Sequence, residues 1–305
     1  MRVGSALRHA ATVPGFTIHP TGAFDLAAAA GFGFGPTTGA DRPAEPRMAL
    51  AFCTDDLAGH AGVELIQDPA GEIRAEVQGG ADLAMVERQV ARVLSLDHDG
   101  AAWAAVGERD PVIGRLQAEL PGLRPVLFHS PYEGAAWAII SARRPAGQAA
   151  TTRFALAQAL GATFQLHGHT LGAFPAPERL LEVEPMPGLP EVKAQRLREL
   201  ARAAIDGRLD QPALIALDPE EALARMRELP GIGPFYASLI VVRALGHADV
   251  LAPDEPITKA ATERYYGTDD VRAVGDERWR PFRTWASVLV HAAGRRAGLR
   301  APPRR

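Results

Sequence analysis

Apolar residues recur every three to four positions over most of the chain beyond residue 130, and this is the period of amphipathic helices. Capping residues locate several helix starts. Ser130 precedes Pro131 and stands three positions before Glu133, which is a capping box with proline at the first helical position. Helices are therefore predicted over 132–142, 145–160 and 191–205, with a last helix ending near 296 and almost no strand in this part.

The N-terminal part of the chain shows the alternation of apolar and polar positions that half-buried strands have. Strands are predicted near 16–19, 48–52, 63–66 and 73–77, and helices near 23–30 and 82–95. Asp68-Pro69-Ala70-Gly71 supplies a turn between the last two strands. The fold class that follows is an α+β N-terminal domain, 1–96, followed by a mostly helical core, 97–305.

Composition is ordinary for a globular protein, with 47% apolar and 23% charged residues. No apolar run reaches the roughly 18 residues that suggest a membrane span, and no signal-peptide pattern is found, so a cytoplasmic location without membrane contact is expected. Cys53 is the only cysteine, which excludes an internal disulfide and a four-cysteine cluster.

Charge is distributed unevenly along the chain, whose net charge is −3. Residues 1–110 carry 8 basic and 15 acidic residues, a net of −7, whereas 111–305 carry 25 basic and 21 acidic residues, a net of +4. The positive part is the helical one. A partner carrying phosphates is therefore expected to contact the helical part rather than the N-terminal domain.

A helix-hairpin-helix motif is predicted over 218–246. Asp218 and Pro219 start its first helix, the Pro230-Gly231-Ile232-Gly233 segment can only be a tight turn, and Pro234 starts an apolar second helix that should end at Gly246. Glycines let the backbone approach a ligand closely, and the amides at a helix N-terminus attract anions. Such a hairpin can hold a nucleic-acid backbone without reading its bases.

An acidic residue, Asp254, follows the hairpin and precedes another predicted helix that ends near Gly267. A helix N-terminus stabilises a carboxylate. A lone aspartate in that place is most often only an N-cap, and Glu255 beside it has the same chemistry.

The stretch Leu229 to Phe235, with Asp254 and Ile257 at their spacing, resembles the helix-hairpin-helix DNA glycosylases, and within them the 3-methyladenine DNA glycosylase II family. The resemblance implies two helical lobes around a DNA cleft and a monomer that acts on damaged double-stranded DNA near the bacterial nucleoid. It also implies base excision by flipping the alkylated base and hydrolysing its N-glycosidic bond. A non-catalytic damage-sensing module, or a glycosylase for another lesion, stays open as the alternative.

The resemblance also assigns roles to residues. Asp254, favoured over Glu255 by its spacing to Ile257, would be the catalytic carboxylate. Phe235 stands where related lyases carry lysine, which implies a monofunctional enzyme. The DNA-binding residues would be those of the hairpin turn and of the loop after the helix 132–142: Gly231, Ile232, Gly233, Pro234, Phe235, Arg143 and Arg144.

The implied base pocket departs from the family pattern. Phe235 keeps an aromatic residue, whereas Leu239 and His291 stand at two other aromatic positions, and Trp137 could compensate or could be core. Arg143 aligns with the wedge that fills the gap left by a flipped base, although Arg143 and Arg144 could instead contact phosphates.

No cofactor is expected. The resemblance implies at most a monovalent cation, Na⁺ or K⁺, on the main-chain carbonyls of Arg227, Leu229 and Ile232. His167-Gly168-His169 is weak support for a metal site, because no further ligand stands at a suitable spacing.

Overall fold

The computed structural model of the protein describes residues 13–32, 46–182 and 186–300. Arg304 and Arg305, at the end of the basic C-terminal stretch, lie outside the described residues. Within the described ranges, no helix is both long and apolar enough to cross a membrane.

The N-terminal part is an antiparallel sheet covered by two helices, and its four strands and two helices lie close to the predicted positions. Its strands lie in the order β1-β4-β3-β2, and their bounds are β1 Gly15–Ile18, β2 Arg47–Cys53, β3 His60–Gln67 and β4 Ile73–Gln78. Alternate residues such as Val63 and Val77, which are paired across β3 and β4, are buried against helices α1, Leu26–Phe32, and α2, Leu83–Val93. The predicted turn before β4 is present, and the Gly71 amide donates to the Asp68 carbonyl oxygen over 2.9 Å.

The remainder is mostly helical, and side-chain caps begin many of the helices. Ser130 Oγ accepts from the Glu133 amide, and Asp218 caps the first hairpin helix. The helices are α3 Gly100–Arg109, α4 Pro111–Glu119, α5 Pro131–Ser141, α6 Ala146–Leu160, α7 Pro177–Glu182, α8 Glu191–Ile205, α9 Gln211–Ile215, α10 Pro219–Arg227, α11 Pro234–Ala244, α12 Pro256–Tyr266, α13 Val271–Val274 and α14 Arg283–Arg296, with a π-helical turn over Gly275–Trp279.

The expectation of almost no strand after residue 130 is wrong at one place. Strands β5, Ala162–Leu166, and β6, His169–Ala173, form a hairpin whose turn has His167 and Gly168 at positive φ. His167 and Gly168 are therefore the two central residues of a tight β-turn, and His169 begins β6. Phe164 of β5 packs on Gly62 of β3, so the hairpin extends the apolar contacts of the N-terminal sheet.

Two buried apolar clusters lie in the helical part. One contains residues of α5, α6, α8, α10 and α11, and the other contains residues of α3, α4, α12 and α14. The sequence segment between α11 and α12 connects the two clusters. The ends of α11, α12 and α14 that face this junction form the site described next.

Candidate active site

The helix-hairpin-helix motif is present, with α10 and α11 joined by a turn that contains two glycines of different character. Gly231 has φ +80°, and a Cβ there would press on the Arg196 side chain, whereas a Cβ at Gly233 would meet nothing within 4 Å. The Ile232 amide donates to the Leu229 carbonyl oxygen over 3.1 Å, and the Ile232 side chain is buried. The hydrogen bond and the buried side chain of Ile232 therefore hold the turn in place, and Gly233 leaves space for a ligand.

The N-terminus of α11 follows directly from that open position. Its first intrahelical hydrogen bond runs from the Ala237 amide to the Gly233 carbonyl oxygen, so the amides of the first turn precede it. Pro234 and Phe235 are exposed, the latter by 38%. The helix ends at Ala244, two residues before the predicted Gly246.

A cavity of about 950 Å³ lies beside this end of α11. Helices that carry the two apolar clusters form its wall: α5 and α11 supply one side, and α12 and α14 supply the other. The four residues predicted for a base pocket, Trp137, Phe235, Leu239 and His291, all line it, as do Arg143 and Arg144. Trp137 and Leu239 also pack against the first apolar cluster, so they are core and cavity residues at once.

A carboxylate stands in the cavity wall, and it belongs to Glu255. This residue is the N-cap of α12, with Pro256 at the first helical position. Its Oε2 atom accepts three hydrogen bonds: from the Thr258 amide over 2.6 Å, from Thr258 Oγ1 over 2.8 Å and from His291 Nδ1 over 2.9 Å. Its Oε1 atom accepts none from the described residues.

The environment keeps Glu255 ionised. Desolvation raises the pKa of the carboxyl, but the hydrogen bond and charge of His291 and the two hydrogen bonds from Thr258 outweigh it and lower the pKa to about 2. The side chain is 22% exposed. The cavity wall therefore holds a charged carboxylate that is fixed through one oxygen and open through the other.

The preference for Asp254 over Glu255 does not agree with this geometry. Asp254 is exposed and does not line the cavity, whereas Glu255 does. The physical reason is the position of the helix start, since α12 begins at Pro256 and the residue before a proline at that position is the N-cap. Pro256 directly after Glu255 was the sequence signal that could have identified it.

The two arginines of the loop after α5 differ in their contacts. Arg144 Nη1 donates to Thr152 Oγ1 and to the Gly188 carbonyl oxygen, each over 3.2 Å. Arg143 is exposed, makes no hydrogen bond or ion pair with the described residues, and holds a positive φ of +56° that is unfavourable for a side chain with a Cβ. Lys193 Nζ secures the loop through the carbonyl oxygens of Ile140 and Ala142, at 2.7 and 2.8 Å.

Arg243 also lines the cavity, and sequence reasoning missed it. Burial lowers the pKa of its guanidinium to about 9, against an opposing attraction to Glu255. It donates to the Val126 carbonyl oxygen and lies 5.2 Å from the centre of the Phe32 ring. A single arginine in an otherwise apolar helix such as α11 is the signal that could have pointed to it.

Across 13–32, 46–182 and 186–300, no group of three or more His, Cys, Asp or Glu side chains could hold a metal ion.

Comparison with known proteins finds relatives that are named as DNA repair enzymes. The chain is 32% identical over 191 residues to DNA-3-methyladenine glycosylase 2 of Escherichia coli, which covers 59% of this chain and 62% of that protein. It is 27% identical over 210 residues to the probable bifunctional transcriptional activator/DNA repair enzyme AlkA of Mycobacterium tuberculosis, covering 68% of this chain and 42% of the other. The chain thus spans less than two thirds of either relative. No family model matches it.

Solved structures agree in fold. A 3-methyladenine DNA-glycosylase from Archaeoglobus fulgidus superposes with a TM-score of 0.74 at 22% identity, covering 93% of this chain and all of the other. An 8-oxoguanine glycosylase/lyase from Clostridium acetobutylicum, in complex with double-stranded DNA, gives a TM-score of 0.61 at 18% identity, covering 79% and 86%.

Proposed function

We infer that the chain belongs to the helix-hairpin-helix DNA glycosylases of the 3-methyladenine DNA glycosylase II family, and from this premise we propose that it removes alkylated bases from double-stranded DNA in base excision repair. The observation that carries the proposal is the cavity between the two apolar clusters, with an ionised Glu255 in its wall and the hairpin at its mouth. A monomer suffices, because one chain supplies both the hairpin and the cavity.

Glu255 is the catalytic carboxylate in this proposal, in place of Asp254. When the N-glycosidic bond breaks, the deoxyribose ring gains positive charge, and a fixed carboxylate beside it lowers the energy of that state. Oε2 is anchored by Thr258 and His291, so Oε1 remains to face the sugar or to orient the attacking water. An exposed Asp254, whose charge water screens, would do this less well.

DNA binding is proposed to begin at the hairpin and end in the cavity. The open Gly233 and the first turn of α11 would hold a backbone phosphate, with Phe235 at the cavity edge. The two apolar clusters would be the two lobes of the DNA cleft, and Arg143, which lacks partners within the described fold, would reach into the space that the flipped base leaves. Phe235 and Trp137 would stack on the base.

The reaction is proposed to stop at base hydrolysis. A lyase needs a lysine whose nitrogen reaches the sugar, and no lysine lines the cavity. The chain has two lysines, and both are engaged: Lys193 with the carbonyls at the end of α5, and Lys259 with Asp269 over 3.0 Å. Phe235 stands where lyases carry the nucleophile.

A monovalent cation on the hairpin carbonyls remains part of the proposal. The Leu229 carbonyl oxygen already accepts the Ile232 amide, but a carbonyl has a second lone pair, so the turn is compatible with an ion at Arg227, Leu229 and Ile232. The ion would fix the turn and would take no part in the chemistry.

The experiment that tests the function offers duplexes with one 7-methylguanine each and measures free base with and without alkali. We expect released base and a strand that breaks only after alkali. Strand cleavage without alkali, or a covalent adduct trapped by borohydride, would contradict the monofunctional assignment. Tight binding of the duplex without any base release would support the damage-sensing alternative, which a cavity of this size, within the usual range of ligand pockets, disfavours.

A further inference from the structure

The segment between α11 and α12 is bonded to the start of α14 through Asp249, a residue that the function proposed so far does not use. On Oδ1 the Asp249 carboxylate accepts from the Arg283 amide over 3.2 Å and from Arg283 Nε over 2.8 Å, and on Oδ2 it accepts from Arg280 Nη1 over 3.0 Å. The Asp249 carbonyl oxygen accepts from Arg283 Nη2 over 2.7 Å. Both carboxylate oxygens and the carbonyl oxygen of Asp249 are therefore bonded to this end of α14.

Thr284, the next residue of α14, extends this contact along the backbone. Its amide donates to the Ala248 carbonyl oxygen over 2.9 Å, and its Oγ1 atom accepts from the Val250 amide over 3.0 Å and donates to the Val250 carbonyl oxygen over 2.9 Å. Thr284 is buried, and the Arg283 and Asp249 side chains are only 17% and 29% exposed. These five residues are called the Asp249 clamp below.

A short and stiff connection joins the Asp249 clamp to Glu255. The Glu255 amide donates to the Ala252 carbonyl oxygen over 3.2 Å, which closes a turn that contains Pro253. Pro256 follows Glu255, so proline rings restrict φ within the turn and directly after it. Leu251, the residue between the clamp and the turn, packs against the second apolar cluster. A displacement of the clamp would therefore displace Glu255.

The same helix also contacts the Glu255 side chain. Thr284 and His291 stand seven positions apart on α14, which is about two helical turns or roughly 10 Å along one face. His291 Nδ1 donates to Glu255 Oε2 over 2.9 Å. Helix α14 thus holds the backbone before Glu255 with its first turn and the Glu255 side chain two turns later, and the direction of the open Oε1 atom depends on both contacts.

We propose that Asp249 is a positioning residue for base release: it fixes the segment before Glu255 on the first turn of α14, so that Glu255 Oε1 faces the sugar. The proposal rests on the function proposed above. Asp249 does not line the cavity, so it acts through Glu255 and not on the DNA itself. Its loss should therefore weaken the stabilisation of the positive sugar and leave the contact between the hairpin and DNA intact.

The test removes the clamp carboxylate and compares chemistry with binding. In Asp249→Ala, single-turnover release of 7-methylguanine should fall about 30-fold, because a misplacement of about 1 Å at a catalytic group can cost on the order of 100-fold. Affinity for an undamaged duplex should stay within about twofold of wild type, because the hairpin is unchanged. Asp249→Asn keeps an acceptor for Arg283 on Oδ1 and should recover most of the rate.

A binding measurement separates positioning from a general loss of structure. Wild type should prefer a duplex with a cationic pyrrolidine in place of the deoxyribose over one with a neutral tetrahydrofuran, since the cation resembles the charged transition state. In Asp249→Ala this preference should fall about 10-fold, because a displaced carboxylate no longer faces the cation. Thr284→Val keeps the side-chain shape and removes both Oγ1 bonds to Val250. It should show smaller losses of the same kind and provides the test should Asp249→Ala not fold.

Asp68→Ala is the matched control, because Asp68 also accepts from backbone amides, those of Ala70 and Glu72, and from Arg74, but in the turn before β4. It should keep the wild-type rate and preference even where urea unfolding shows an equal loss of stability. Folded Asp249→Ala or Thr284→Val protein with the wild-type rate and preference, or with equal losses of rate and duplex affinity, would overturn the positioning role and leave the proposed function standing. A wild-type protein that releases no base would remove both proposals.

Discussion

Two glutamate–histidine pairs in this protein have nearly the same chemistry and very different surroundings. Glu133 accepts from the Cys53 amide on Oε1, over 2.9 Å, and from His129 and Arg153 on Oε2, over 3.1 and 2.5 Å. Glu255 accepts from His291 and Thr258 on Oε2 alone. In both, desolvation raises the carboxyl pKa, and hydrogen bonds and nearby positive charge lower it to about 2.

The two glutamates differ in whether a carboxylate oxygen remains free to accept a hydrogen bond from a ligand. Glu133 is 3% exposed and both of its oxygens are bonded, so it ties α5 to β2 and α6 and has nothing left for a ligand. Glu255 keeps one oxygen open toward a cavity. A strongly lowered pKa is thus found both in the ion pair of Glu133 and in the proposed catalytic carboxylate of Glu255, and the carboxylate oxygen without a hydrogen-bond partner distinguishes the second from the first.

The same contrast recurs in two other pairs near the site. Arg144 is bonded to Thr152 and Gly188, whereas Arg143 is exposed without such partners among the described residues. Gly231 is confined by Arg196, whereas Gly233 faces open space. In each pair, one member contacts the fold and the other is exposed where we propose that DNA binds, and substitutions can test this division.

The largest effect is expected at Glu255. Glu255→Gln removes the charge that stabilises the positive sugar, so single-turnover base release should fall on the order of 1,000-fold. Glutamine keeps the shape and can still accept from Thr258. Asp254→Asn is the matched control, and its rate should stay within about threefold of wild type. A slow Asp254→Asn protein beside an active Glu255→Gln protein would return the role to Asp254.

In contrast to Glu255→Gln, the substitution Glu133→Gln should lower the stability of the protein and leave its rate of base release nearly unchanged. It leaves the partly buried Arg153, whose side chain is 13% exposed, without its counter-charge, so the free energy of unfolding at neutral pH should fall by about 3 kcal/mol, while the folded protein releases base at nearly the wild-type rate. Urea unfolding and single-turnover kinetics measure the two quantities. A large loss of rate in protein shown to be folded would contradict a purely structural role for Glu133.

The pH dependence of the free energy of unfolding gives a second test of the structural role of Glu133. The Glu133 carboxyl pKa is lowered from 4.5 to about 2 in the folded state, so its contribution is full above 4.5 and is lost as pH falls toward 2. The stability difference between wild type and Glu133→Gln should therefore shrink over this interval. A difference that stays constant down to the folded pKa would show that the charge of Glu133 is not the stabilising feature.

Gly233→Asp tests the open side of the hairpin. A carboxylate at the N-terminus of α11 would repel a phosphate, so binding to damaged and undamaged duplex should weaken about 10-fold without loss of stability. Gly80→Asp is the control, because Gly80 also has free space around its Cα position but lies in the N-terminal domain. Unchanged DNA affinity in a folded Gly233→Asp protein would remove the hairpin from the interface.

The smallest effect is expected at the loop arginines. Arg143→Ala should slow the turnover of a base-paired lesion by about fivefold and leave a lesion in single-stranded DNA nearly unaffected, since only the duplex leaves a gap to fill. Arg144→Ala should act mainly on stability, because its partners lie within the fold. Equal losses on duplex and single strands for Arg143→Ala would indicate a phosphate contact instead.

Much of the fold could be predicted because its signals are local. Ser130 and Asp218 mark helix starts within three residues of themselves, and Gly231 and Gly233 mark a turn. The strands β5 and β6 pair with each other, but the hairpin was missed because the packing that buries it is distant: Phe164 packs on Gly62, about a hundred positions earlier in the chain. Pattern reasoning over a short window carries no information about such contacts.

The sequence could predict several residues that line the cavity, but it could not decide which of two adjacent acids faces it. Trp137, Phe235, Leu239 and His291 do meet in one cavity. The choice between Asp254 and Glu255 depends on His291, 36 positions further along the chain, and on which of two adjacent residues caps α12. Pro256 indicates the cap from the sequence alone, but the contact with His291 is visible only in three dimensions.

The most direct test of the account measures whether Glu255 recognises positive charge at the sugar. Affinity is compared for two duplexes, one with a cationic pyrrolidine in place of the deoxyribose and one with a neutral tetrahydrofuran. Wild type and Asp254→Asn should prefer the cationic analogue by about 100-fold, because it resembles the charged transition state, and Glu255→Gln should lose that preference. An unchanged preference in Glu255→Gln, or its loss in Asp254→Asn, would contradict the account.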